Sequence, residues 1–539
     1  MPQVGRGELA WIGLWAAGVV AFSTLPYALT WWLTPSGYVF TGILANPLDG
    51  FSYLAKMRQA TEGAWLLHLP YTSVPHQAAL LFPQYVLLGK VVALTGIAPI
   101  LVYHAARIVS GLLMLGVSYG FIATIVTSVA VRKTAFLLLS TSSGLTWFTG
   151  FFGFLASDVT VPESNTFYSL FTNVHFPLAS GLLTAAFLLV LKGLSRFPWT
   201  LMALGGMSNA LMVLLQPFLL FSETVIAAIW ALLLLGRGKM TLSLLRPSVL
   251  LLWVIPMLPL LLLARQLYAD PVLAEWTAQN VTPSPPPWSY LAGYGLLVPL
   301  ALLGLIGAWR RPRECALSEW GAVLLLAWAI AGVMLLYAPI PWQRRLSEGY
   351  HIPVSILAAV GLHTFILARM GEHVRQLVRP AVVGFCMMGS LTVAGASVLG
   401  ARALGEPYYL SLNDYEALTW LAENVTVNDL ALASPTMGNI APAWSSAKVY
   451  WGHPYETVNA PVRYQHVLDF YSSSAATTAR CDFLREAGVT LVYAGPLELR
   501  LGDADLAAQP GLVPAYRSGP VVVYRVTPCA AVALMDKPV

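Results

Sequence analysis

Charge is what this sequence has least of. Only 10% of its 539 residues are charged, whereas 57% are hydrophobic, and the mean hydropathy is +0.68. A soluble domain carries about 25% charged residues, so the composition excludes a soluble enzyme and a disordered scaffold. The net charge of +5 is small for this length and gives no argument for nucleic acid as a partner. The composition therefore predicts a polytopic membrane protein.

Cysteine and the common catalytic motifs are also scarce. Four cysteines are too few for a disulfide framework or a cysteine-built metal site. The sequence contains no HExxH, no paired CxxC and no glycine-rich phosphate loop. A metal, if one is bound, would therefore be held by carboxylates, asparagine and water, a donor set that suits magnesium or manganese.

Long apolar runs dominate the first 400 residues. A transmembrane helix needs about 20 apolar residues, and the first run is too long for the apolar region of a signal peptide, so we predict that it is retained. About eleven runs qualify, at 9–33, 100–128, 134–156, 177–194, 199–215, 217–235, 247–264, 290–309, 319–338, 351–368 and 381–400.

Basic residues agree with this topology. If the N-terminus is cytoplasmic, the clusters fall in alternate loops on the cytoplasmic side, as the positive-inside rule requires. They are Arg132-Lys133, Lys192 with Arg196, Arg237-Lys239-Arg246, Arg310-Arg311-Arg313 and Arg369-Arg375-Arg379. Counting the apolar stretch 78–97 as a span would invert all of them, so we predict an amphipathic helix in the outer interface there. The expected membrane is the plasma (inner) membrane.

The composition changes near residue 400. We predict a transmembrane domain at 1–400, with a long first outer loop at about 34–99, and an extracytoplasmic α/β domain at 401–539. The hydrophobic pattern of the second domain predicts helices at 413–423 and within 465–487, strands at 429–433 and 489–493, and a hairpin at 512–526. Cys481 and Cys529 fall in this domain, and the sequence leaves open whether they pair or stay as thiols.

Two polar residues mark the first outer loop. Asp49 precedes the helix FSYLAKMRQATEGAW, where it could serve as the helix N-cap or as a functional carboxylate in a long loop. His76 follows Pro75, and the alternatives are a surface histidine and a substrate-binding residue.

The second polar outer loop, 157–176, gathers Asp158, Glu163, Asn165 and His175. Each could be an ordinary solvated residue. Because four such groups share the outer face with Asp49, we interpret them as candidates for substrate binding.

Paired arginines occur late in the chain, in the run Pro341 to His351 that includes Glu348. The topology places Arg344 and Arg345 outside, where arginines are not favoured. They either extend to lipid headgroups or bind phosphate, whose oxygens match the guanidinium fork. We favour phosphate, with Glu348 and His351 as neighbouring candidates. Glu223, inside a span, either contributes to the same site or bonds to a neighbouring helix.

Four stretches of the chain carry a family resemblance. They are Asp49 ahead of FSYLAKMRQATEGAWL, HQAALLFPQYVLLGKVVALTG followed by Tyr103-His104-Ala105-Ala106-Arg107, the late RRLSEGYHIPVSILAAVGL, and EALTWLAENV with LREAGVTLVYAGP. In these features the chain resembles the GT-C superfamily of integral-membrane glycosyltransferases, particularly its protein-mannosyltransferase-like and aminoarabinose-transferase-like (family-39-like) branch. Many relatives have paired acids in the first loop, whereas Gly50 follows Asp49 here. A single carboxylate argues against a tight metal site there, and any metal would be held by Asp49 and Glu163.

The resemblance implies a sugar donor linked to polyprenyl phosphate and a lipid, glycan or protein acceptor, with membrane lipids around the protein. In this interpretation Asp49 is the general base, and Arg344 and Arg345 bind the leaving phosphate. The reaction would invert the anomeric carbon.

Two other functions compete with this interpretation. A secondary transporter or lipid flippase of a lipid-linked substrate would show repeats and polar residues at the midplane. A membrane scaffold whose outer domain binds a partner would leave the outward arginines unexplained.

Overall fold

The computed structural model describes residues 4–239 and 246–529. Residues 1–3, 240–245 and 530–539, which the predicted domains include, lie outside the described residues. The chain is mostly helical and separates into two units. The first unit comprises Met1–Ala28, Tyr103–Arg265 and Val281–Leu399, and the second comprises Leu29–Val102, Gln266–Asn280 and Gly400–Val539.

The elements are numbered in chain order. The helices are α1 (Arg6–Trp32), α2 (Pro47–Thr61), α3 (Pro83–Thr95), α4 (Pro99–Ile125), α5 (Val129–Thr141), α6 (Thr146–Thr149), α7 (Ser157–Thr160), α8 (Thr166–Thr172), α9 (His175–Gly193), α10 (Pro198–Leu215), α11 (Leu219–Gly236), α12 (Leu251–Ala269), α13 (Pro271–Gln279), α14 (Pro287–Tyr294), α15 (Leu297–Arg310), α16 (Glu319–Leu336), α17 (His351–Gly361), α18 (Glu372–Leu404), α19 (Leu412–Asn424), α20 (Pro435–Trp444), α21 (Ala460–Tyr471), α22 (Thr477–Ala487) and α23 (Pro496–Leu499). The strands are β1 (Tyr38–Phe40), β2 (Tyr409–Ser411), β3 (Leu430–Leu432), β4 (Lys448–Val449), β5 (Leu491–Ala494), β6 (Leu512–Ser518) and β7 (Val521–Val526).

Apolar helices long enough to cross a membrane confirm a multi-pass membrane protein. Within residues 4–239 and 246–529 there are ten: Arg6–Trp32, Pro99–Ile125, Val129–Phe152, His175–Gly193, Pro198–Leu215, Leu219–Gly236, Pro247–Ala269, Glu319–Leu336, Gln343–Arg369 and Glu372–Ala403. Helices α14 and α15 meet at a bend of 85° and make an eleventh if they are one broken span. The bend falls at Gly295, whose φ of +51° suits glycine.

The apolar stretch 78–97 is not among these spans. It contains α3, whose 13 residues extend about 20 Å and so are too short to cross. One face of α3 packs on α2, since a Cβ on Gly89 would lie 2.3 Å from the Met57 carbonyl oxygen. The other face exposes Leu87 and Leu94. The helix predicted here is present, and its interfacial position stays a prediction.

Glycines allow two helices of the first unit to touch along their backbones. A Cβ on Gly304 of α15 would lie 1.9 Å from the Leu357 carbonyl oxygen, and a Cβ on Gly361 of α17 would lie 2.0 Å from that of Leu300. Small residues permit such close approach of membrane helices. The α15–α17 contact therefore depends on both glycines.

The described residues of the second unit form two sheets. Strands β1 and β2 pair antiparallel, with Val39 opposite Leu410, so residues from the first predicted loop share a sheet with the C-terminal segment. The larger sheet has the order β4-β3-β5-β7-β6. Its first three strands are parallel and its last three antiparallel.

The elements predicted for the C-terminal segment are confirmed. The predicted helices correspond to α19, α21 and α22, the strands to β3 and β5, and the hairpin to β6 and β7. The hairpin turns at Gly519, whose φ is +52°. Cys481 and Cys529 form a disulfide, which settles the alternative that the sequence left open.

Candidate functional site

Asp49 lies in the first turn of α2. The helix begins after Asn46, which has a left-handed backbone (φ 48°, ψ 57°), and Pro47 takes the first helical position, where a missing N–H costs nothing. Asn46 Nδ2 donates to Asp49 Oδ2 at 2.5 Å. The N-cap residue is thus Asn46, and the alternative that Asp49 caps the helix is wrong. The Asp49 side chain is 36% exposed.

His453 is a second partner of Asp49. Its Nε2 lies 3.2 Å from Asp49 Oδ1, and its ring is buried. Its Nδ1 accepts the N–H of Tyr455 at 3.2 Å. A ring nitrogen that accepts a hydrogen bond carries no proton, so the proton of the neutral ring lies on Nε2, which donates to Asp49.

Sequence reasoning did not select His453. The available signal was the run Trp451-Gly452-His453-Pro454-Tyr455-Glu456, which concentrates aromatic, histidine and acidic residues between β4 and α21. Loops on a rigid scaffold often carry functional groups, but nothing local to this run points to α2.

Ser52 and Lys56 continue the face of α2 that begins with Asp49, at the i+3 and i+7 positions. Lys56 Nζ lies 2.8 Å from Glu456 Oε1, and both side chains are buried. The Ser52 hydroxyl bonds to both of them. Burial raises the pKa of Glu456, but the Lys56 ammonium, His453 and the hydrogen bonds from Lys56 and Ser52 together hold that pKa below its usual range.

The predicted candidate His76 bonds to backbone through both ring nitrogens. Nε2 accepts the N–H of Leu69 at 2.8 Å, and Nδ1 donates to the Val74 carbonyl oxygen at 2.8 Å. These contacts hold the turn 69–76 and occupy the ring. The structure brings His76 to this turn and gives it a local structural role.

Arg344 and Arg345 lie on a short 3₁₀ helix, Gln343–Ser347, of the first unit. Arg344 Nη2 is 3.6 Å from Glu163 Oε1, so two predicted candidates meet here. Arg344 Nε is buried without a hydrogen-bond partner among the described residues. The Arg345 guanidinium lies 5.5 Å from the ring centroid of Phe218.

Two buried carboxylates accompany these arginines. Glu163 and Glu348 are close enough for their charges to interact, and Arg345 acts on Glu348 in the same way. Ser180 Oγ donates to Glu348 Oε1 at 3.4 Å. The second carboxylate oxygen of each acid is buried and has no hydrogen-bond partner in the described part of the chain. Buried polar atoms are rarely left unpaired, so this cluster has capacity for a polar ligand or water.

Three other candidates hold the turn between α5 and α6. Asn165 Nδ2 donates to the Ser142 carbonyl oxygen at 3.0 Å, and His351 Nε2 lies 3.0 Å from Ser142 Oγ. Asp158 accepts hydrogen bonds from the hydroxyls of Ser143 and Thr146. Burial raises the pKa of Asp158, and its bonds to Thr146 and Ser143 oppose that rise. Asp158, Asn165 and His351 are thus held within the protein by their own contacts.

The last two candidates begin or line helices. His175 is the first residue of α9 and is buried against the Phe176 ring, with ring centroids 4.3 Å apart. Glu223 of α11 is buried near Asn209 of α10, and its Oε2 has no hydrogen-bond partner among the described residues. Both alternatives that the sequence offered for Glu223, a place in the site and a bond to a neighbouring helix, stay predictions.

The predicted metal ligands, Asp49 and Glu163, are not part of a larger cluster of metal-binding side chains in the part of the chain that the structure describes. Among residues 4–239 and 246–529, no group of three or more His, Cys, Asp and Glu side chains is arranged to hold a metal ion. Both oxygens of Asp49 already accept hydrogen bonds, from Asn46 and His453. Magnesium or manganese bound by Asp49 and Glu163 stays a prediction, and no step below uses it.

Comparison with known proteins identifies the fold. No sequence-family profile and no curated sequence matches the chain. The Archaeoglobus fulgidus oligosaccharyltransferase, tethered with an acceptor peptide, matches with a TM-score of 0.55 and 13% identity over 89% of this chain and 69% of that one. ArnT from Cupriavidus metallidurans bound to undecaprenyl phosphate matches with 0.52 and 14% over 95% and 98%. The arabinofuranosyltransferase AftD from Mycobacteria matches with 0.52 and 13% over 94% and 40%.

These matches confirm the fold class that the sequence predicts. The described chain has the polytopic helical fold of the GT-C type, with a small C-terminal α/β region.

Proposed function

We propose that this chain, whose fold is that of the GT-C glycosyltransferases, is a membrane glycosyltransferase that moves a sugar from a polyprenyl-phosphate-linked donor to an acceptor hydroxyl. The observation that carries the proposal is the fold shared with ArnT bound to undecaprenyl phosphate, over 95% of this chain and 98% of that one. The proposed location is the extracytoplasmic face of the plasma (inner) membrane, with a cytoplasmic N-terminus.

Asp49 is the general base in this proposal. Its carboxylate accepts the proton of the acceptor hydroxyl while that oxygen bonds to the anomeric carbon. The bond from the anomeric carbon to the phosphate oxygen breaks, and its electron pair leaves with the polyprenyl phosphate. One such displacement inverts the anomeric carbon. Support comes from the partial exposure of Asp49 and from its fixed orientation, since a positioned base contributes about 10²–10⁴-fold.

Arg344 and Arg345 bind the donor phosphate in this proposal. Charge builds on the phosphate as the bond to the sugar breaks, and fixed guanidinium donors stabilise that charge. Arg344 suits this role because its buried Nε has no hydrogen-bond partner in the described chain. Its contact with Glu163 at 3.6 Å also fixes the side chain before the donor binds.

Glu163 and Glu348 are the proposed contacts of the donor sugar. Each has a buried carboxylate oxygen without a hydrogen-bond partner among the described residues, and sugar hydroxyls are hydrogen-bond donors that would satisfy both. His175 is the third group proposed to orient the sugar or the acceptor. The acceptor is proposed as a lipid, glycan or protein hydroxyl.

The test is sugar transfer in proteoliposomes with a panel of labelled undecaprenyl-phosphate sugars. The wild type is compared with Asp49→Asn and Arg345→Ala, and with Asp482→Asn as a control at an exposed acid. We expect Asp49→Asn to lose turnover but keep donor binding, and Arg345→Ala to lose donor binding as well. If the wild type neither binds nor turns over any donor, the proposal is contradicted. Transport assays would then test the alternative, a transporter or flippase. Full activity of Asp49→Asn would reassign the base to Glu163.

A further inference from the structure

The loop 450–459 meets α2 at two levels. At the first level His453 bonds to Asp49, and three residues later in each segment Glu456 bonds to Ser52 and, one turn further along α2, to Lys56. In the first pair Asp49, the proposed base, has a side chain that is 36% exposed. The second pair is buried. The loop therefore delivers one histidine to a reactive carboxylate and anchors itself beside that carboxylate with an ion pair.

The His453 ring has little freedom to turn. Its Nδ1 accepts the N–H of Tyr455, and its backbone carbonyl accepts the N–H of Thr457 at 2.8 Å. The Thr457 side chain is buried and its Oγ1 accepts the N–H of His453 at 3.2 Å. Gln279 Nε2 donates to the Thr457 carbonyl oxygen at 2.9 Å. The loop therefore fixes the ring with Nε2 toward Asp49.

The backbone next to His453 packs directly against α20. A Cβ on Gly452 would lie 2.4 Å from the Gly438 carbonyl oxygen, and a Cβ on Gly438 would lie 2.2 Å from that of Trp451. The loop and α20 are thus in backbone contact at the residue before His453. This contact fixes the height of the ring along α2.

We propose that His453 is a positioning residue for Asp49, an inference that rests on the proposed function. Its Nε2–H donates to Oδ1 while Asn46 donates to Oδ2, and together they hold the carboxylate plane in one orientation. His453 transfers no proton: the acceptor proton moves to Asp49, and Nε2 keeps its own. A base held in one orientation meets the acceptor hydroxyl without first losing rotational freedom.

The experiment compares two substitutions of the same ring in full-length protein in proteoliposomes. His453→Gln keeps an N–H donor near the Nε2 position, whereas His453→Leu removes it. His466→Gln is the matched control, because His466 is an exposed histidine of the same unit that bonds to Tyr450. Turnover is measured with labelled undecaprenyl-phosphate sugars (hexose, N-acetylhexosamine, pentose and aminopentose).

We expect His453→Leu to lower kcat about 10- to 100-fold, the effect of losing a hydrogen bond to a charged group, with the donor KM unchanged. His453→Gln should restore most of kcat, and His466→Gln should match the wild type. Equal activity of His453→Leu and wild type would overturn the proposal. A change in KM alone, or equal loss in both His453 variants, would also overturn it.

A second measurement is independent of turnover. In protein labelled with ¹⁵N-histidine, the His453 resonances, assigned by their loss in His453→Gln, should show a protonated Nε2 and an unprotonated Nδ1, and should move in Asp49→Asn. The opposite tautomer would overturn the proposal even in an active enzyme. If the wild type transfers no sugar, the proposed function fails, and the labelled ring still decides whether His453 donates to Asp49.

Discussion

Lys56 Nζ lies 2.8 Å from Glu456 Oε1 in a buried ion pair whose members are 400 residues apart in sequence. The Ser52 hydroxyl bonds to both groups, and the ammonium lies 4.6 Å from the ring centroid of Phe82. Taking two charges out of water is costly, so an enclosed pair contributes mainly by keeping each partner compensated. The second unit therefore depends on both residues being present together.

Removing one partner of this ion pair should strongly destabilise the second unit. We expect Glu456→Gln to lower the free energy of unfolding of the second unit by about 3–5 kcal/mol, because it leaves a buried ammonium without a counter-charge. The double change Lys56→Met with Glu456→Leu should recover most of the loss. Thermal unfolding in detergent measures both.

The exposed pair Asp482–Arg485 is the matched control, and Asp482→Asn should cost no more than about 1 kcal/mol. If the double variant is as unstable as Glu456→Gln, the attraction between the two charges stabilises the fold. The loss in Glu456→Gln would then not come from an unpaired buried ammonium.

The pH dependence of stability should contain a contribution from Glu498. Burial raises the pKa of this carboxyl to about 7, although hydrogen bonds from Ser434 oppose the rise. The folded state thus binds the proton more tightly than the unfolded chain, whose glutamates titrate near pH 4.3. The contribution is full below about pH 4.3 and is lost as the pH rises to about 7, by about 4 kcal/mol in total.

Glu498→Gln tests this contribution. The two carboxylate oxygens of Glu498 accept the N–H groups of Ser434 and Gly495. In the glutamine variant the NH₂ group would face one of these N–H donors, so the overall stability should fall. The slope of melting temperature against pH between about 4.5 and 7 should nevertheless flatten. An unchanged slope would assign the pH dependence to other groups.

Lysine should not fully replace Arg345 in binding the donor phosphate. We expect Arg345→Ala to lower kcat/KM about 10²–10³-fold, in the range of a lost oxyanion donor, and Arg345→Lys to recover only part of it, because an ammonium lacks the planar fork. Arg485→Ala, at an exposed arginine, is the control. Donor binding equal to wild type in Arg345→Ala would remove Arg345 from the phosphate site.

The glycine contact between α15 and α17 should tolerate no side chain. Gly361→Ala places a Cβ 2.0 Å from the Leu300 carbonyl oxygen, so the helices must separate, and we expect a loss of about 1–3 kcal/mol or more. Gly384→Ala in α18 is the matched control, because nothing lies within 4 Å of its added Cβ. Equal melting temperatures of the two variants would refute the backbone contact.

Much of the fold follows from local sequence. Apolar length predicts the spans, since each is a single run of about 20 residues, and the 3.6- and 2-residue periods predict α19 and β5. The bend at Gly295 was not predicted, because a broken apolar run has the same composition as a straight one. A run of apolar residues reports burial in lipid and not the direction of the helix axis.

The candidate site is less accessible to sequence reasoning. Polar residues in outer loops suggest a site, but Asp158 and His76 each found partners in their own neighbourhood, and the sequence does not distinguish a paired group from an available one. The partner of Asp49 could not be predicted, because the contact with His453 is long-range. Arg344 and Glu163 come from two segments that the sequence marked separately as candidates, and their contact could not be predicted from either one.

The pairing of β1 with β2 sets an order of events during biosynthesis. The Thr41 hydroxyl donates to the Pro407 carbonyl oxygen 366 residues later, so the first loop emerges well before its partner strand exists. At about 5–20 residues per second, the wait is about 20–70 s. Throughout that interval β1 has an open edge and Lys56 has no counter-charge. The first loop therefore cannot complete its contacts until the last quarter of the chain is being made.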